Sequence, residues 1–213
     1  MSIIDRIIKL YKKVVDNSFF ELNKSARPGG IVFLGDSITD FYRINEFFHD
    51  SYIINRGIGG DTTDGVLKRM PESVYDLSPS KVFILIGTND IGENKDEEHV
   101  IYNIAQIIQK IQDNCPDARI YLQSIYPVSK AKDKKIRKVI VKKRNNEIIS
   151  RINVELEKLA QEKGIVYIDV YSHLVDDEGN LKLDYTVEGL HLTVNGYKVV
   201  SDILRPYVLE EVQ

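Results

Sequence analysis

Short apolar runs rich in strand-forming residues recur at long intervals along the chain. They occupy residues 31–34, 52–54, 82–86, 120–123 and 165–168. The first and third runs contain no alternating polar positions, which is typical of strands buried on both faces of a sheet. The pattern therefore predicts five strands that belong mainly to one parallel sheet.

Helical periodicity fills most of the gaps between these runs. Residues 96–114 carry apolar side chains three or four positions apart, residues 136–163 continue the same pattern, and a last helix begins near Asn195. Because short strands alternate with long helices, we expect βαβ crossovers with helices covering both faces of the sheet. No repeat or linker interrupts the pattern, so residues 1–213 are assigned to one domain.

Residues 1–21 form a separate helical pattern at the start of the sequence. Charged residues interrupt a stripe of apolar positions, namely Ile4, Ile7, Ile8, Tyr11, Val14 and Val15. This differs from the unbroken apolar core of a signal peptide. We expect an amphipathic helix packed on the domain, with a helix on a membrane surface as the alternative. No apolar run approaches the roughly 20 residues that span a bilayer, so stable membrane insertion is not expected.

Composition narrows the class of protein further. The chain has 213 residues, 43% of them hydrophobic and 29% charged, which is typical of a folded globular protein. Its one cysteine, Cys115, excludes an internal disulfide and a thiolate zinc cluster, and we expect a cytoplasmic location. The net charge of −3 argues against general nucleic-acid binding.

Small polar residues follow the predicted strands, at the sheet edge where α/β proteins bind ligands. Ser37 comes directly after the first buried run, in Gly35-Asp36-Ser37. A hydroxyl at this position would face the crevice at the start of a helix, whose amide groups favour a developing negative charge. The competing interpretation is a helix N-cap, which serine also favours.

His191 is the best candidate base for a serine nucleophile. It stands in Glu188-Gly189-Leu190-His191, after the last strand and before the last helix. Glu188 lies three residues earlier and can reach the imidazole across one turn. The other histidines, His49, His99 and His173, have no matching partner in the sequence and are interpreted as surface or structural residues.

Two middle segments supply candidate hydrogen-bond donors for an oxyanion. Gly60, in the string of residues 57–63, can expose a backbone amide, and Asn89 in Gly87-Thr88-Asn89-Asp90 offers a side-chain amide. The glycine string also resembles a loose phosphate loop. It lacks both the Gly-Lys-Ser/Thr ending and the Gly-x-Gly-x-x-Gly register, which argues against nucleotide binding.

Four segments in this order resemble the SGNH hydrolases, also called the GDSL esterases and lipases. They are Gly35-Asp36-Ser37, the string with Gly60, the segment with Asn89, and the segment with His191. The complete Gly-Ile-Gly-Gly-Asp-Thr-Thr string is most similar to the subgroup of platelet-activating-factor acetylhydrolase catalytic subunits. The resemblance implies a three-layer α/β/α sandwich, flavodoxin-like, with a central, mainly five-stranded parallel sheet. It also implies an oxyanion hole formed by the backbone N–H groups of Ser37 and Gly60 and by the Asn89 amide.

One position departs from the pattern of this family, whose last block is Asp-x-x-His. This chain has glutamate at position 188, which adds about one methylene of reach and keeps the carboxylate. Glu188 is the expected third member of the triad. The sequence leaves two alternatives open: a backbone carbonyl that orients His191, or Asp184 as the carboxylate.

The expected function is that of a serine ester hydrolase with a Ser37-His191-Glu188 triad and an acyl-enzyme. We expect a small ester substrate, either a short-chain acyl or acetyl ester, with lipase-like activity or sugar O-deacetylation left open. No metal or organic cofactor is expected. The alternative is a catalytically silent carbohydrate- or lipid-binding module on the same fold. Candidate substrate-binding residues are Tyr42, Arg56, Ile91, Tyr126 and Leu190.

The basic segment, residues 130–144, contains nine lysines or arginines against the single acidic residue Asp133. We interpret it as a solvated loop and helix face. The alternative is a flap that attracts anionic substrates or headgroups. Nucleic-acid binding is not expected, because no aromatic residues are interleaved with these charges. The sequence leaves a homodimer open.

Overall fold

The computed structural model describes residues 3–211, and its centre is a sheet of five parallel strands. The strands are β1 (Ile31–Gly35), β2 (Ile53–Gly57), β3 (Lys81–Leu85), β4 (Arg119–Gln123) and β5 (Val166–Ile168). Their order across the sheet is β2-β1-β3-β4-β5, and all four pairings are parallel. The five predicted strands are confirmed, with β2 extending past its apolar run to Gly57.

Helices cover both faces of this sheet. They are α1 (Ile3–Asn23), α2 (Ser37–Asp40), α3 (Ile44–Phe47), α4 (Thr63–Lys68), α5 (Met70–Ser73), α6 (Thr88–Gly92), α7 (Glu97–Asn114), α8 (Lys138–Val141), α9 (Asn146–Lys163), α10 (Tyr171–Leu174) and α11 (Val194–Leu209). Two 3₁₀ turns lie at Tyr75–Leu77 and Leu183–Tyr185. Helix α7 packs against α4 and α9, whereas α11 packs against α3 and α10. The predicted three-layer α/β/α sandwich is confirmed.

The strand register stacks aromatic rings across the centre of the sheet. Phe33 of β1 pairs with Phe83 of β3, which pairs with Tyr121 of β4. The rings of Phe33 and Phe83 are 4.6 Å apart at 3°, and those of Phe83 and Tyr121 are 4.5 Å apart at 11°. All three side chains are buried. Each stacked pair adds about 0.5–1.5 kcal/mol beyond its buried area, which fixes the relative positions of the three strands.

The long helix predicted over residues 136–163 is wrong in its first part. The structure has the short helix α8, an irregular turn, and then α9. Lys142 ends α8 with a positive φ of 53°, which a helix excludes. Asn145 caps α9 by accepting a hydrogen bond from the backbone N–H of Glu147. Apolar periodicity continues through this break, which is why the sequence pattern did not reveal it.

The first helix packs on the sheet layers through only part of its predicted stripe. Phe19 is buried, and the Tyr11 hydroxyl donates to Asp40 Oδ2 at 2.5 Å. Val14 is instead 59% exposed, and Ile7 is also exposed, so these two positions of the stripe face solvent. Residues 1 and 2 and the side chains of residues 4 and 8, which the prediction included, lie outside the described part of the chain. Assignment of residues 1–213 to one domain stays a prediction.

The strand order places a crevice beside β1. The chain adds β2 on one side of β1 and then adds β3 on the other side, so the order of strand addition switches between β1 and β3. Open α/β sheets bind ligands at such a switch point, beyond the carboxyl ends of the strands. Ser37 follows β1 and Asn89 follows β3, so the two residues lie on either side of this switch point. None of the helices within residues 3–211 is both long and apolar enough to cross a membrane.

Candidate active site

Ser37, His191 and Glu188 form one chain of hydrogen bonds at this crevice. Ser37 Oγ lies 2.9 Å from His191 Nε2, and His191 Nδ1 lies 2.6 Å from Glu188 Oε1. Ser37 starts α2, and His191 lies three positions before the first residue of the last helix, α11. The fold thus brings together residues separated by 154 positions in the sequence. The hydroxyl is positioned to pass its proton to an imidazole that a carboxylate supports.

A tight turn presents Glu188 to His191. Glu188 Oε1 also accepts a hydrogen bond from the backbone N–H of His191, at 3.0 Å. Gly189 adopts a positive φ of 108°, and a Cβ there would lie 2.9 Å from the backbone oxygen of Ser129. Thr186, which is buried, accepts from the Gly189 N–H and donates to the His191 carbonyl oxygen. The turn therefore requires glycine at position 189 and a hydroxyl at position 186.

The Glu188 carboxylate is held in its charged form. Partial burial raises its pKa, but the hydrogen bonds and charge of His191 outweigh this effect and lower the pKa below its usual range. Asp184, the alternative carboxylate, is exposed and interacts with Thr193 through its backbone oxygen. An ionised acceptor at His191 Nδ1 keeps the other ring nitrogen, Nε2, free to accept the serine proton.

The N–H of Gly60 donates to no backbone acceptor within residues 3–211. Gly60 has a positive φ of 75°, a left-handed conformation that glycine adopts without steric cost. Its neighbour Gly59 donates its N–H to Asp40 Oδ2 at 2.9 Å, and Asp61 Oδ2 accepts from Arg69 Nε at 2.8 Å. Arg69 also donates to the Gly35 carbonyl oxygen at the end of β1. This buried ion pair therefore fixes the Gly60 loop against the strand that precedes Ser37.

The Asn89 amide is held from both of its ends. Its Nδ2 donates to the Asp61 carbonyl oxygen at 2.8 Å, and its Oδ1 accepts from Arg144 Nη2 at 2.7 Å. One N–H of the amide is thereby used in the loop, and the second N–H remains for a ligand. Sequence patterns pointed to Asn89 but not to Arg144 or Arg69, because no motif contains these two arginines.

The five residues predicted to bind substrate are all buried among other side chains. Each of Tyr42, Arg56, Ile91, Tyr126 and Leu190 is at most 6% exposed. The prediction for Arg56 is wrong: its guanidinium lies 4.4 Å from the Phe19 ring centre and donates to Asn23 Oδ1 beneath α1.

Tyr42 and Tyr126 lie in the packed interior, and their role in substrate binding stays a prediction. Tyr42 shares a hydrogen bond with Ser201, and Tyr126 donates to Gln123. Ile91 and Leu190 are each 4% exposed and likewise lie in the core.

Phe41 is a crevice residue that sequence reasoning missed. Its ring centre lies 5.2 Å from that of His191, and its side chain is 53% exposed. It follows α2 by one position, four residues after Ser37. An aromatic ring in this position offers an apolar surface next to the reacting groups. The only sequence signal was an apolar residue one helical turn after the candidate nucleophile.

Asp36, next to Ser37, is an unusually placed carboxyl group. It is 1% exposed; Oδ1 accepts from the Ile38 N–H at 2.9 Å, and Oδ2 has no hydrogen-bond partner within residues 3–211. Burial raises its pKa to about 7, although the Ile38 hydrogen bond and the charges of Arg144 and His191 act in the opposite direction. The folded state therefore binds a proton here that an unfolded chain releases above pH 3.8.

This placement predicts a stability difference that depends on pH. The contribution of Asp36 to the free energy of unfolding is fully present below pH 3.8 and is lost as pH rises through about 7. The free energy of unfolding of Asp36→Asn, relative to that of wild type, should therefore increase as pH rises from 3.8 to about 7, by up to about 1.4 kcal/mol per pH unit. Urea unfolding between pH 4 and 8 measures the difference. The control Asp50→Asn, at an exposed aspartate, should lack this slope, and a pH-independent difference for Asp36→Asn would refute the assignment.

One other group beside the crevice combines metal-ligand types. Ligand atoms of Asp64, Asp90 and His99 lie within 4.8 Å of one another. Their oxygens already accept from neighbours: Asp90 from Thr63, and Asp64 from Asn103. His99 Nε2 lies 3.1 Å from Asp64 Oδ2. The geometry is that of a closed hydrogen-bond network which braces α4 against α7.

Comparison with known proteins agrees with this arrangement. Residues 33–199 match the family model of the GDSL-like lipase/acylhydrolase family, and this range includes Ser37, Gly60, Asn89, Glu188 and His191. The chain belongs to this family. It is accordingly a carboxylic ester hydrolase of the GDSL type, as the sequence resemblance indicated.

The chain is also similar to individual known proteins. The chain is 28% identical to platelet-activating factor acetylhydrolase IB subunit alpha2 of Rattus norvegicus, over 90% of this chain and 81% of the relative. A solved structure from Streptococcus pneumonia, whose name refers to platelet activating factor, is 32% identical, with a TM-score of 0.90 over 96% of each chain. A GDSL-like lipase from Bacteroides thetaiotaomicron is 28% identical, with a TM-score of 0.79 over 91% of this chain and 96% of its own.

Proposed function

We propose that this protein hydrolyses short-chain acyl esters through a Ser37-His191-Glu188 triad. The observation that carries the proposal is the continuous chain of two hydrogen bonds from Ser37 Oγ through His191 to Glu188. An N-cap serine would use its hydroxyl on its own helix; in α2 the capping oxygen comes from Asp36 instead. The Ser37 hydroxyl is therefore available for chemistry.

The first half of the reaction forms an acyl-enzyme. Ser37 Oγ attacks the ester carbonyl carbon while its proton moves to His191 Nε2, and Glu188 stabilises the resulting imidazolium. The tetrahedral intermediate collapses as the bond from carbon to the leaving oxygen breaks. His191 gives its proton to that oxygen, and the alcohol departs. Water then hydrolyses the acyl-enzyme: His191 removes a proton from the water, and the water oxygen attacks the acyl carbon to form a second tetrahedral intermediate. This intermediate collapses as the bond from the acyl carbon to Ser37 Oγ breaks, His191 returns the proton to Ser37 Oγ, and the carboxylic acid departs.

Three donors are placed to bind the negative oxygen of both tetrahedral intermediates. They are the backbone N–H groups of Ser37 and Gly60 and the second N–H of the Asn89 amide. Ser37 begins α2, so its N–H has no acceptor within its own helix. Donors fixed before the reaction stabilise the transition state without reorganisation.

Limited access to Ser37 supports a small acyl group. Ser37 is 5% exposed, and Phe41 borders the site from the His191 side. The name of the Rattus norvegicus relative, an acetylhydrolase, agrees with a short acyl chain. The proposed substrates are acetyl and similarly short acyl esters.

A series of p-nitrophenyl esters of increasing chain length tests this substrate class. We expect kcat/KM to be highest for acetate or butyrate and at least about tenfold lower for octanoate, because added methylenes must fit beside a nearly buried serine. Acetate release from a peracetylated sugar, measured in parallel, reports sugar O-deacetylation. A preference for octanoate would contradict the short-chain proposal. Failure to hydrolyse any ester would favour a silent binding module.

A further inference from the structure

Arg144 differs from the other eight cations of the basic segment. It is 2% exposed, whereas Lys135 is half-buried and the remaining seven are exposed. Within residues 3–211 its side chain donates four hydrogen bonds, and all four go to neutral oxygens. No carboxylate in this part of the chain forms an ion pair with the guanidinium, although the charges of Asp36, Glu93 and Glu188 partly offset the effect of burial on its pKa. Burial of a cation without an ion pair costs free energy, so we ask what the position of Arg144 contributes.

Its hydrogen bonds converge on the segment that carries Asn89. Arg144 Nε donates to Thr88 Oγ1 at 3.0 Å, and Nη2 donates to Asn89 Oδ1 at 2.7 Å. Nη1 donates to the carbonyl oxygens of Ile140 and Val141, which anchor the other side of the guanidinium in α8. If the Asn89 amide rotated by 180°, its NH₂ group would face the cation and both of its hydrogen bonds would be lost. Arg144 therefore imposes one orientation on the amide.

Gly92 makes room for this arrangement. A Cβ at position 92 would lie 2.7 Å from Arg144 Cζ and 2.7 Å from Nη1. The guanidinium cannot retreat easily, because four hydrogen bonds hold it. Helix α6 thus presents Asn89 towards the crevice and a bare backbone at Gly92 towards the arginine.

We infer that Arg144 is a positioning residue that holds the Asn89 amide in the orientation that binds the oxyanion. Its charge also withdraws electron density from the amide oxygen, which makes the free N–H a stronger donor as negative charge develops. The inference rests on the proposed function, since it requires Asn89 to be an oxyanion donor. It also assigns a role to one member of the basic segment, seven of whose other eight cations are exposed.

A double-mutant cycle with p-nitrophenyl acetate tests whether Arg144 acts through Asn89. Asn89→Ala alone should lower kcat by about 10²–10³-fold, and Arg144→Met alone by about 10–100-fold with KM changed less than about threefold. The double variant should resemble Asn89→Ala to within about threefold, because no amide remains to be positioned. Lys143→Met, which removes an exposed neighbouring charge, should behave as wild type.

The outcomes separate this inference from the proposed function. If Asn89→Ala retains full activity, the oxyanion role of Asn89 fails, and the role of Arg144 fails with it. If Asn89→Ala loses activity but the effect of Arg144→Met is absent or fully additive, only the positioning role is refuted. Melting temperatures establish that each variant is folded at the assay temperature.

A second variant covers the case in which Arg144→Met does not fold. Gly92→Ala keeps the arginine but displaces its guanidinium. As a single variant it should lower kcat about tenfold or more. When it is added to Asn89→Ala, it should lower kcat by less than about threefold. Arg144→Lys retains the charge and should lose less activity than Gly92→Ala. Equal losses from Gly92→Ala with and without Asn89 would contradict the inference.

Discussion

Ser37→Ala is expected to lower kcat for p-nitrophenyl acetate by at least about 10⁴-fold. The oxygen that attacks the ester is removed, and no other hydroxyl is known to lie within hydrogen-bond distance of His191 Nε2 in the described part of the chain. The oxyanion donors remain, so a small residual rate above that of water is expected. Initial rates at saturating substrate, with background hydrolysis subtracted, measure the effect.

The matched control for this variant is Ser172→Ala, at an exposed serine in α10. It should retain wild-type kcat. Ser37→Ala removes one partly buried hydroxyl and leaves the cap from Asp36 in place, so its melting temperature should stay close to that of wild type. A Ser37→Ala enzyme that keeps more than about a tenth of wild-type kcat would mean that another group is the nucleophile.

Glu188→Ala is expected to lower kcat by about 10³–10⁴-fold with a smaller effect on KM. The carboxylate contacts both Nδ1 and the backbone N–H of His191, so its removal takes away the fixed tautomer and the counter-charge of the imidazolium. Glu188→Gln can keep the acceptor oxygen without the charge and should fall between alanine and wild type. Rates at saturating acetate ester between pH 6 and 9 measure the series.

Asp184→Ala is the control for the alternative carboxylate on the same loop. It removes an exposed side chain and should leave kcat unchanged. A loss of less than tenfold in Glu188→Ala would favour orientation of His191 by a backbone carbonyl. A large loss in Asp184→Ala would transfer the role to that residue.

The sequence predicted the sheet and the candidate reacting groups because both depend on local patterns. Buried parallel strands appear as apolar runs, and the residues after them follow directly at the ligand-binding edge. Ser37, Asn89 and His191 could therefore be found without coordinates. The break before α9 could not be predicted, because the apolar spacing continues past Lys142. The chain leaves the helical conformation at this residue, which has a positive φ.

The residues that support the site were not predictable in the same way. Arg144 lies in a run of cations, and such runs normally indicate exposure, yet the fold buries this one side chain. Arg69 stands in a segment without any motif and acts through its ion pair with Asp61. Phe41 was missed and Arg56 was predicted as a substrate-binding residue, because the sequence does not show that α1 covers Arg56. Long-range packing decides all of these positions.

The basic segment also contacts the other half of the site. The Arg137 N–H donates to the Glu188 carbonyl oxygen, and the N–H of Ser129, the residue just before the segment, donates to the Gly189 carbonyl oxygen. Together with Arg144 and Asn89, these bonds connect one stretch of chain to both the base and the oxyanion donors. Its exposed lysines have no role in this arrangement, and the sequence-based interpretation as a solvated face remains a prediction for them.

The central claim is that Ser37 is a nucleophile activated by His191. Reaction with a fluorophosphonate, followed by intact-mass and peptide mass spectrometry, tests it most directly because the label forms only on an activated hydroxyl. We predict one adduct per chain on the peptide that contains Ser37, and no adduct in Ser37→Ala. An unlabelled wild-type protein, or a label on any other residue that persists in Ser37→Ala, would contradict the account.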